Sequence, residues 1–158
     1  MTKILFVCHG NICRSPMAEF LLKDIVQKKG IQDRFFIASA ATSTEEIGNG
    51  VHYGTRNKLA RYNIRCDGHH ARQMTRDDYQ KYDLLIGMDS ANVRNMTRIA
   101  GGDPEHKIHK MLEYVYDGPG FPPQYVPDVA DPWYTDNFDE TYDDISRGLA
   151  GMLKKLGY

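Results

Sequence analysis

Hydrophobic positions follow two periodicities in alternation along this chain. Ile4-Leu5-Phe6-Val7 is continuously apolar and rich in β-formers, which predicts a strand buried on both faces. A turn-rich segment, Cys8 to Ser15, follows it. Met17, Phe20, Leu21 and Ile25 then recur at helical spacing until Gly30, with Ser15-Pro16 as the predicted helix entry. Phe35-Phe36-Ile37-Ala38 predicts a second strand ending at Ser39. A polar, glycine-containing loop from Ser43 to Gly54 leads into a helical stretch bearing Leu59 and Tyr62. Thr75 and Asp78 have the spacing of a capping box that opens a short helix. Leu84 to Met88 predicts the third strand. Asp89-Ser90 then caps a helix with Val93, Met96 and Ile99 along one side, ended by Gly101-Gly102. Lys107 to Leu112 is a weaker fourth strand. Glu113 to Asn137 holds most of the prolines and reads as one long loop, of a length that is more often functional than idle. Phe138, Tyr142, Ile145, Leu149, Met152 and Leu156 alternate steps of four and three, which predicts a final amphipathic helix.

Strands alternating with helices predict an α/β fold: one domain over residues 1–158, a doubly wound sheet of about four parallel strands with helices on both faces. Neither a repeat nor a linker divides the chain. With 41% hydrophobic and 26% charged residues the composition is that of a globular protein. A formal net charge of -1 gives no basic face for nucleic acid. The apolar run at residues 4–7 is too short for a signal core or a bilayer span, so a cytoplasmic location away from membranes is expected. Three cysteines, Cys8, Cys13 and Cys66, do not make a disulfide framework. They also lack zinc-site spacing, even with His69 and His70 near Cys66, so neither a metal nor another cofactor is expected.

The chemistry is expected in the first strand-to-helix loop, because such sheets bind ligands beyond the carboxyl ends of their strands. That loop reads Cys8-His9-Gly10-Asn11-Ile12-Cys13-Arg14-Ser15. It lacks the Gly-Lys-Ser/Thr ending of a Walker loop and the glycines of a dinucleotide fingerprint. Instead a thiol opens it and a guanidinium stands six residues on. Gly10 and Asn11 are residue types that tolerate positive φ, which an anion-binding nest of inward amides requires. The following helix adds its partial positive charge. Helix ends and cationic neighbours stabilise a thiolate, so nucleophilic sulfur chemistry is expected at Cys8. A tetrahedral dianion above it would be gripped by Arg14 in a planar, bidentate way that lysine does not reproduce. Ser15 is positioned to donate to the sulfur.

Residues 7–16, Val-Cys-His-Gly-Asn-Ile-Cys-Arg-Ser-Pro, resemble the signature of the low-molecular-weight protein tyrosine phosphatases. Asp131-Pro132-Trp133-Tyr134 resembles that family's second motif, and Ser39-Ala40, His69 to Arg72 and Met88-Asp89 are also similar. The resemblance covers essentially the whole chain. It implies hydrolysis of phosphotyrosine and small aryl phosphates, with Cys8 as nucleophile, Arg14 as phosphate clamp and Asp131 as general acid and base. It also implies that His9, Gly10, Asn11, Ile12, Cys13 and Ser15 surround the phosphate and that Trp133 and Tyr134 wall the phenyl ring. Asn11, Ser15, Ser39 and His69 become the network supporting the loop, with His70 as the alternative to His69. The implied partners are tyrosine-phosphorylated proteins, and the expected state is a monomer or weak dimer.

Some residues keep two readings. Asp-Pro commonly just starts a turn, and Trp133 and Tyr134 would serve equally as loop residues packed on the core. Cys13 is either the partner of a reversible disulfide with Cys8, as the resemblance implies, or a small buried support. Where the family usually has an aromatic cleft residue, this chain has Glu45 and Glu46, with Tyr53 further on. Either Tyr53 substitutes, or the entrance is acidic, with Asp128, Asp136 and Asp139 adding to its rim. Arsenate reductases of the same fold need a further redox cysteine pair, and this chain offers Cys66 alone. Protein-arginine phosphatases carry threonine where Ile12 stands.

Overall fold

The first apolar run lies in strand β1 (Thr2–Cys8), an inner strand of a parallel sheet. β2 (Phe35–Ala41) pairs on one side of β1 and β3 (Leu84–Gly87) on the other, with β4 (Ile108–Lys110) beyond β3. The structure is a computed structural model that describes residues 1–116, 119–120 and 122–158. Every strand pair is parallel, and the fold is α/β, as the alternation of elements predicts.

The two faces of β1 explain its unbroken apolar run. Ile4, Phe6 and Cys8 point to one face, where they join Met17 and Leu21 of helix α1 (Arg14–Lys28). Ile145 and Leu149 of the C-terminal helix (Phe138–Lys155) complete that layer. Leu5 and Val7 point to the other face and pack with Leu85 of β3, Tyr79 and Met96. Helix α2 (Tyr53–Ala60) leans on the first layer, whereas α3 (Arg76–Lys81) and α4 (Ser90–Ala100) form the second. A strand with both faces covered gains nothing from polar alternation.

Local signals set several boundaries. Asp78 accepts from the Thr75 N–H (2.8 Å) at the start of α3. The Asp89 carboxylate accepts from the Asn92 N–H (2.7 Å) at the start of α4, and Gly101, at φ 79°, closes that helix in the left-handed region.

Elsewhere the structure departs from the sequence reading. α1 begins at Arg14, not Ser15, and Cys13 stands at its cap position with no side-chain bond. Ser15 is buried in the first turn, where its hydroxyl serves the loop before it. β4 is only three residues long, and Met111–Tyr114 is a 3-10 turn rather than its continuation. Tyr62 lies beyond the end of α2. The segment read as one loop, Glu113 to Asn137, contains a 3-10 turn at Pro123–Tyr125 and a helical turn, α5 (Pro132–Thr135). Its positions 117, 118 and 121 lie outside the described residues. The C-terminal helix is accordingly α6.

The chain leaves β1 toward β2 and then crosses back to β3. Loops following β1 and β3 therefore diverge at the carboxyl edge of the sheet, which opens a crevice there. Among the described residues no helix is long and apolar enough to cross a membrane.

Candidate active site

The crevice is lined from three directions. Cys8, His9, Gly10, Ile12, Cys13 and Arg14 come from the loop after β1, and Glu45 and Glu46 from the loop after β2. Asp131, Trp133 and Tyr134 come from the turn that opens α5. Of the eleven residues that the sequence reading placed at the catalytic centre or around the substrate, nine line this crevice, all but Asn11 and Ser15. Those two lie beneath it, with no exposed surface.

The loop's shape follows from where its carbonyls go. Cys8 O accepts from Thr42 N (2.9 Å), His9 O from Ser43 N (3.0 Å), and Ile12 O from His52 N (2.8 Å). Asn11 O bonds His69 Nε2 (2.8 Å), and Cys13 O accepts from Thr55 Oγ1 (3.1 Å). Among the described residues, the N–H groups of Gly10 to Arg14 enter no hydrogen bond. With these carbonyls claimed by neighbouring elements, the loop amides are the donors left for an anion.

Asn11 is the pin. It holds φ 59°, in the left-handed region that asparagine tolerates better than most residues. Its Nδ2 donates to Ser15 Oγ (2.8 Å) and Ser39 Oγ (2.9 Å), and its Oδ1 accepts from Arg72 N (3.2 Å). Ser39 Oγ in turn donates to Glu19 Oε1 (2.6 Å). Ser15 Oγ lies 3.1 Å from Cys8 Sγ, completing a relay from Asn11 to the sulfur. His70 bonds Gly48 O instead, so His69 is the histidine that touches this loop.

Arg14 is 2% exposed. Its Nη1 donates to Asp89 Oδ2 (2.8 Å) and Val129 O (2.9 Å), and its Nη2 reaches Asp131 Oδ2 at 3.3 Å. Nη1 is thus saturated, and the edge formed by Nε and Nη2 is left for a ligand. Burial works against the charge, but the Cys8 sulfur and the Asp131 and Asp89 carboxylates outweigh it and push the Arg14 pKa above its ordinary value.

Asp131 does cap a turn: its Oδ1 accepts from Trp133 N (3.1 Å) while Oδ2 faces Arg14. One oxygen thus serves the turn, and the other faces Arg14 in the crevice. Trp133 and Tyr134 stand at the crevice mouth, 57% and 83% exposed, rather than packed into the core. Burial pushes the Cys13 thiol up to about 12, with the nearby Cys8 and Asp131 adding to the effect. Cys8 and Cys13 are both free thiols.

Glu45 and Glu46 line the mouth, whereas Tyr53 does not. Glu45 pairs with His9 (3.0 Å), and Glu46 accepts from Asn49 Nδ2 (2.6 Å). Asp128, Asp136 and Asp139 do not join this rim: Asp128 is tied to Lys110 and Ser90, Asp139 to Lys58 and Arg61, and Asp136 closes α5 in a separate hollow. Among the described residues, no group of His, Cys, Asp and Glu side chains converges as a metal site.

Sequence reasoning missed Asp89 as a partner of Arg14, although its capping pattern was visible. Glu19, which holds Ser39 from inside α1, and His52, whose backbone holds Ile12, carried no local signal.

The family model described as low molecular weight phosphotyrosine protein phosphatase matches residues 3–158. The chain is 38% identical over 156 residues to the low molecular weight protein-tyrosine-phosphatase YfkJ of Bacillus subtilis, covering 99% of this chain and 96% of that one. The crystal structure of YfkJ superposes with a TM-score of 0.89, at 39% identity and 99% and 94% coverage. That of the low molecular weight protein tyrosine phosphatase SP-PTP from Streptococcus pyogenes gives 0.85, at 40% identity and 100% and 95% coverage.

Asn11→Ala removes a buried amide with three partners and puts alanine at positive φ. It is expected to cost at least ~2 kcal/mol of stability, read as a lower urea midpoint at unchanged m-value. A midpoint equal to wild type would show that the loop is held in shape by other groups.

Proposed function

The chain belongs to the low molecular weight phosphotyrosine protein phosphatase family, and from that premise we propose that it hydrolyses phosphotyrosine through a phosphocysteine intermediate. The observation that carries this reading is that Cys8 and Arg14 line one crevice, in a loop whose amides have no hydrogen-bond partner among the described residues. In the first step Cys8 attacks phosphorus as a thiolate, the P–O bond to the phenyl ring breaks, and Asp131 gives its proton to the departing phenolate. In the second step Asp131 takes a proton from water as the water oxygen attacks phosphorus. The P–S bond then breaks and phosphate leaves.

Each group has a physical reason for its part. The amides of Gly10 to Arg14 and the free edge of Arg14 bind the three equatorial oxygens, whose charge spreads in the transition state. The 3.3 Å contact of Arg14 Nη2 with Asp131 is the longest of the guanidinium's bonds and the easiest to exchange for a phosphate oxygen, leaving Asp131 Oδ2 facing the ester oxygen. A thiolate has no proton, so Ser15, polarised by the Asn11 amide, is the donor in the Ser15–Cys8 pair and stabilises sulfur as leaving group. The raised Cys13 pKa keeps that thiol neutral near pH 7, which favours Cys8 as nucleophile.

The exposed rings of Trp133 and Tyr134 suit a flat phenyl group on a protein surface, so tyrosine-phosphorylated proteins are the proposed substrates. Ile12 lines the crevice, which favours phosphotyrosine over phosphoarginine. Cys66 lies in the core outside the crevice and does not offer the extra thiol that arsenate reduction needs.

Three measurements test this reading. Asp131→Ala is expected to lower kcat about 10²–10⁴-fold on phenyl phosphate and less on nitrophenyl phosphate, whose leaving group needs less protonation. Equal losses on nitrophenyl and alkyl esters would remove Asp131 as the acid. Ser15→Ala weakens a hydrogen bond to a charged group, a loss of about 10–100-fold in the second step. Rapid-quench kinetics should then show a burst of phenol with phosphocysteine accumulating, and the absence of a burst would contradict the role given to Ser15. Finally, exposed charge pairs contribute about 0.2–1 kcal/mol each. The Glu45 and Glu46 lip should therefore give severalfold higher kcat/KM on phosphopeptides with basic flanks than on acidic ones, a ratio reduced in Glu45→Gln/Glu46→Gln and in high salt. Equal rates on the two peptides would rule out an acidic lip as selector.

A further inference from the structure

We propose that His52 is a positioning residue: its imidazole braces Trp133, and through Trp133 the Asp131 turn, against the phosphate-binding loop. The kinetic part of this inference rests on the phosphatase reading above; the structural part does not.

Trp133 lies in α5 and Asp131 caps it, and that helical turn of four residues is too short to be stable alone. Trp133 is bonded through its N–H to Asp131 Oδ1 (3.1 Å), so whatever holds the tryptophan also holds the carboxylate. Among the described residues, the ring that meets Trp133 is His52, edge-on, with centroids 5.6 Å apart and planes at 70°. That is the favoured geometry for rings with opposed face and edge charges.

His52 is itself fixed from several sides. Its backbone N–H donates to Ile12 O (2.8 Å), within the phosphate-binding loop. Its Nδ1 accepts from Gly54 N (3.1 Å). Its ring stacks with Tyr53 (4.4 Å, 30°) and with Phe138 (5.5 Å, 12°). A Cβ on Gly54 would stand 2.2 Å from the Phe138 ring, so glycine there is what lets Phe138 lie against the imidazole. A continuous path results: Ile12 carbonyl, His52 backbone and ring, Trp133 ring, Trp133 N–H, Asp131 carboxylate. It sets the acid relative to the cradle independently of the Arg14 contact.

The simpler role for His52 is to cap α2 through Nδ1. Asparagine caps at least as well with a smaller side chain, so capping alone does not call for an imidazole. The Trp133 contact does call for a ring. Two variants separate the roles. His52→Asn keeps an acceptor for Gly54 N and loses the ring; His52→Phe keeps the ring and loses the acceptor.

Trp133 is the chain's only tryptophan, so its fluorescence anisotropy decay reports this contact without turnover. In His52→Asn a fast, large-amplitude decay component should appear. Its kcat/KM should fall about two- to tenfold, with the loss in kcat larger for phenyl phosphate than for nitrophenyl phosphate because it acts through the acid. His52→Phe should keep the wild-type decay and rates despite a lower Tm. The opposite pattern, with His52→Asn like wild type and His52→Phe impaired, would make His52 a helix cap only and overturn the proposal. Were the wild-type protein itself inactive on both esters, the phosphatase reading would fail while the anisotropy decays still decided whether His52 holds Trp133.

Discussion

A buried guanidinium organises this molecule. Arg14 sits in the first turn of α1 with 2% of its surface exposed, and withdrawing such a cation from water costs several kcal/mol unless opposite charge and good hydrogen bonds surround it. Two aspartates supply the charge, and each uses its oxygens in the same divided way. Asp89 caps α4 with one oxygen and receives Arg14 with the other. Asp131 caps α5 with one oxygen and faces Arg14 with the other. The Val129 carbonyl completes the ring of acceptors, and the Val129 N–H ties the same segment to Met88 at the end of β3. Positions of the β1 loop, the β3 turn and the Asp131 turn are therefore interdependent.

Beneath that charge the β1 loop is held by its polar underside. Asn11, Ser15, Ser39, Glu19, His69 and Arg72 satisfy one another or the loop carbonyls, so the cost of an asparagine at positive φ is offset where no ligand reaches. Among the described residues, what remains on the upper side is a set of amides without hydrogen-bond partners beside the Cys8 sulfur. Donors fixed in place before a ligand arrives need no reorganisation as charge develops, which is the most effective way a protein stabilises a transferring phosphoryl group.

The parts of this arrangement legible in the sequence were those with local signatures. β1, α4 and α6 showed themselves through periodicity and caps, and the loop from Cys8 to Ser15 through its unusual mix of thiol, glycine, asparagine and arginine. Ser15-Pro16 misled because serine before proline usually opens a helix, whereas here the hydroxyl is claimed by Asn11 and lies against Cys8. α5 was hidden in a proline-rich stretch, since one helical turn has no periodicity to read. Asp89 was readable as a cap but not as a partner of Arg14, 75 residues away in sequence, because only the strand order brings those loops together. Glu19 and His52 escaped for the same reason: their partners, Ser39 and Ile12 with Trp133, belong to other elements.

A crystal structure with bound orthovanadate tests the central claim most directly. The account predicts vanadium within bonding distance of Cys8 Sγ, two of its oxygens on Nε and Nη2 of Arg14, and the others on amides between Gly10 and Arg14. Vanadate seated elsewhere, or bound in the crevice without engaging Arg14, would contradict it.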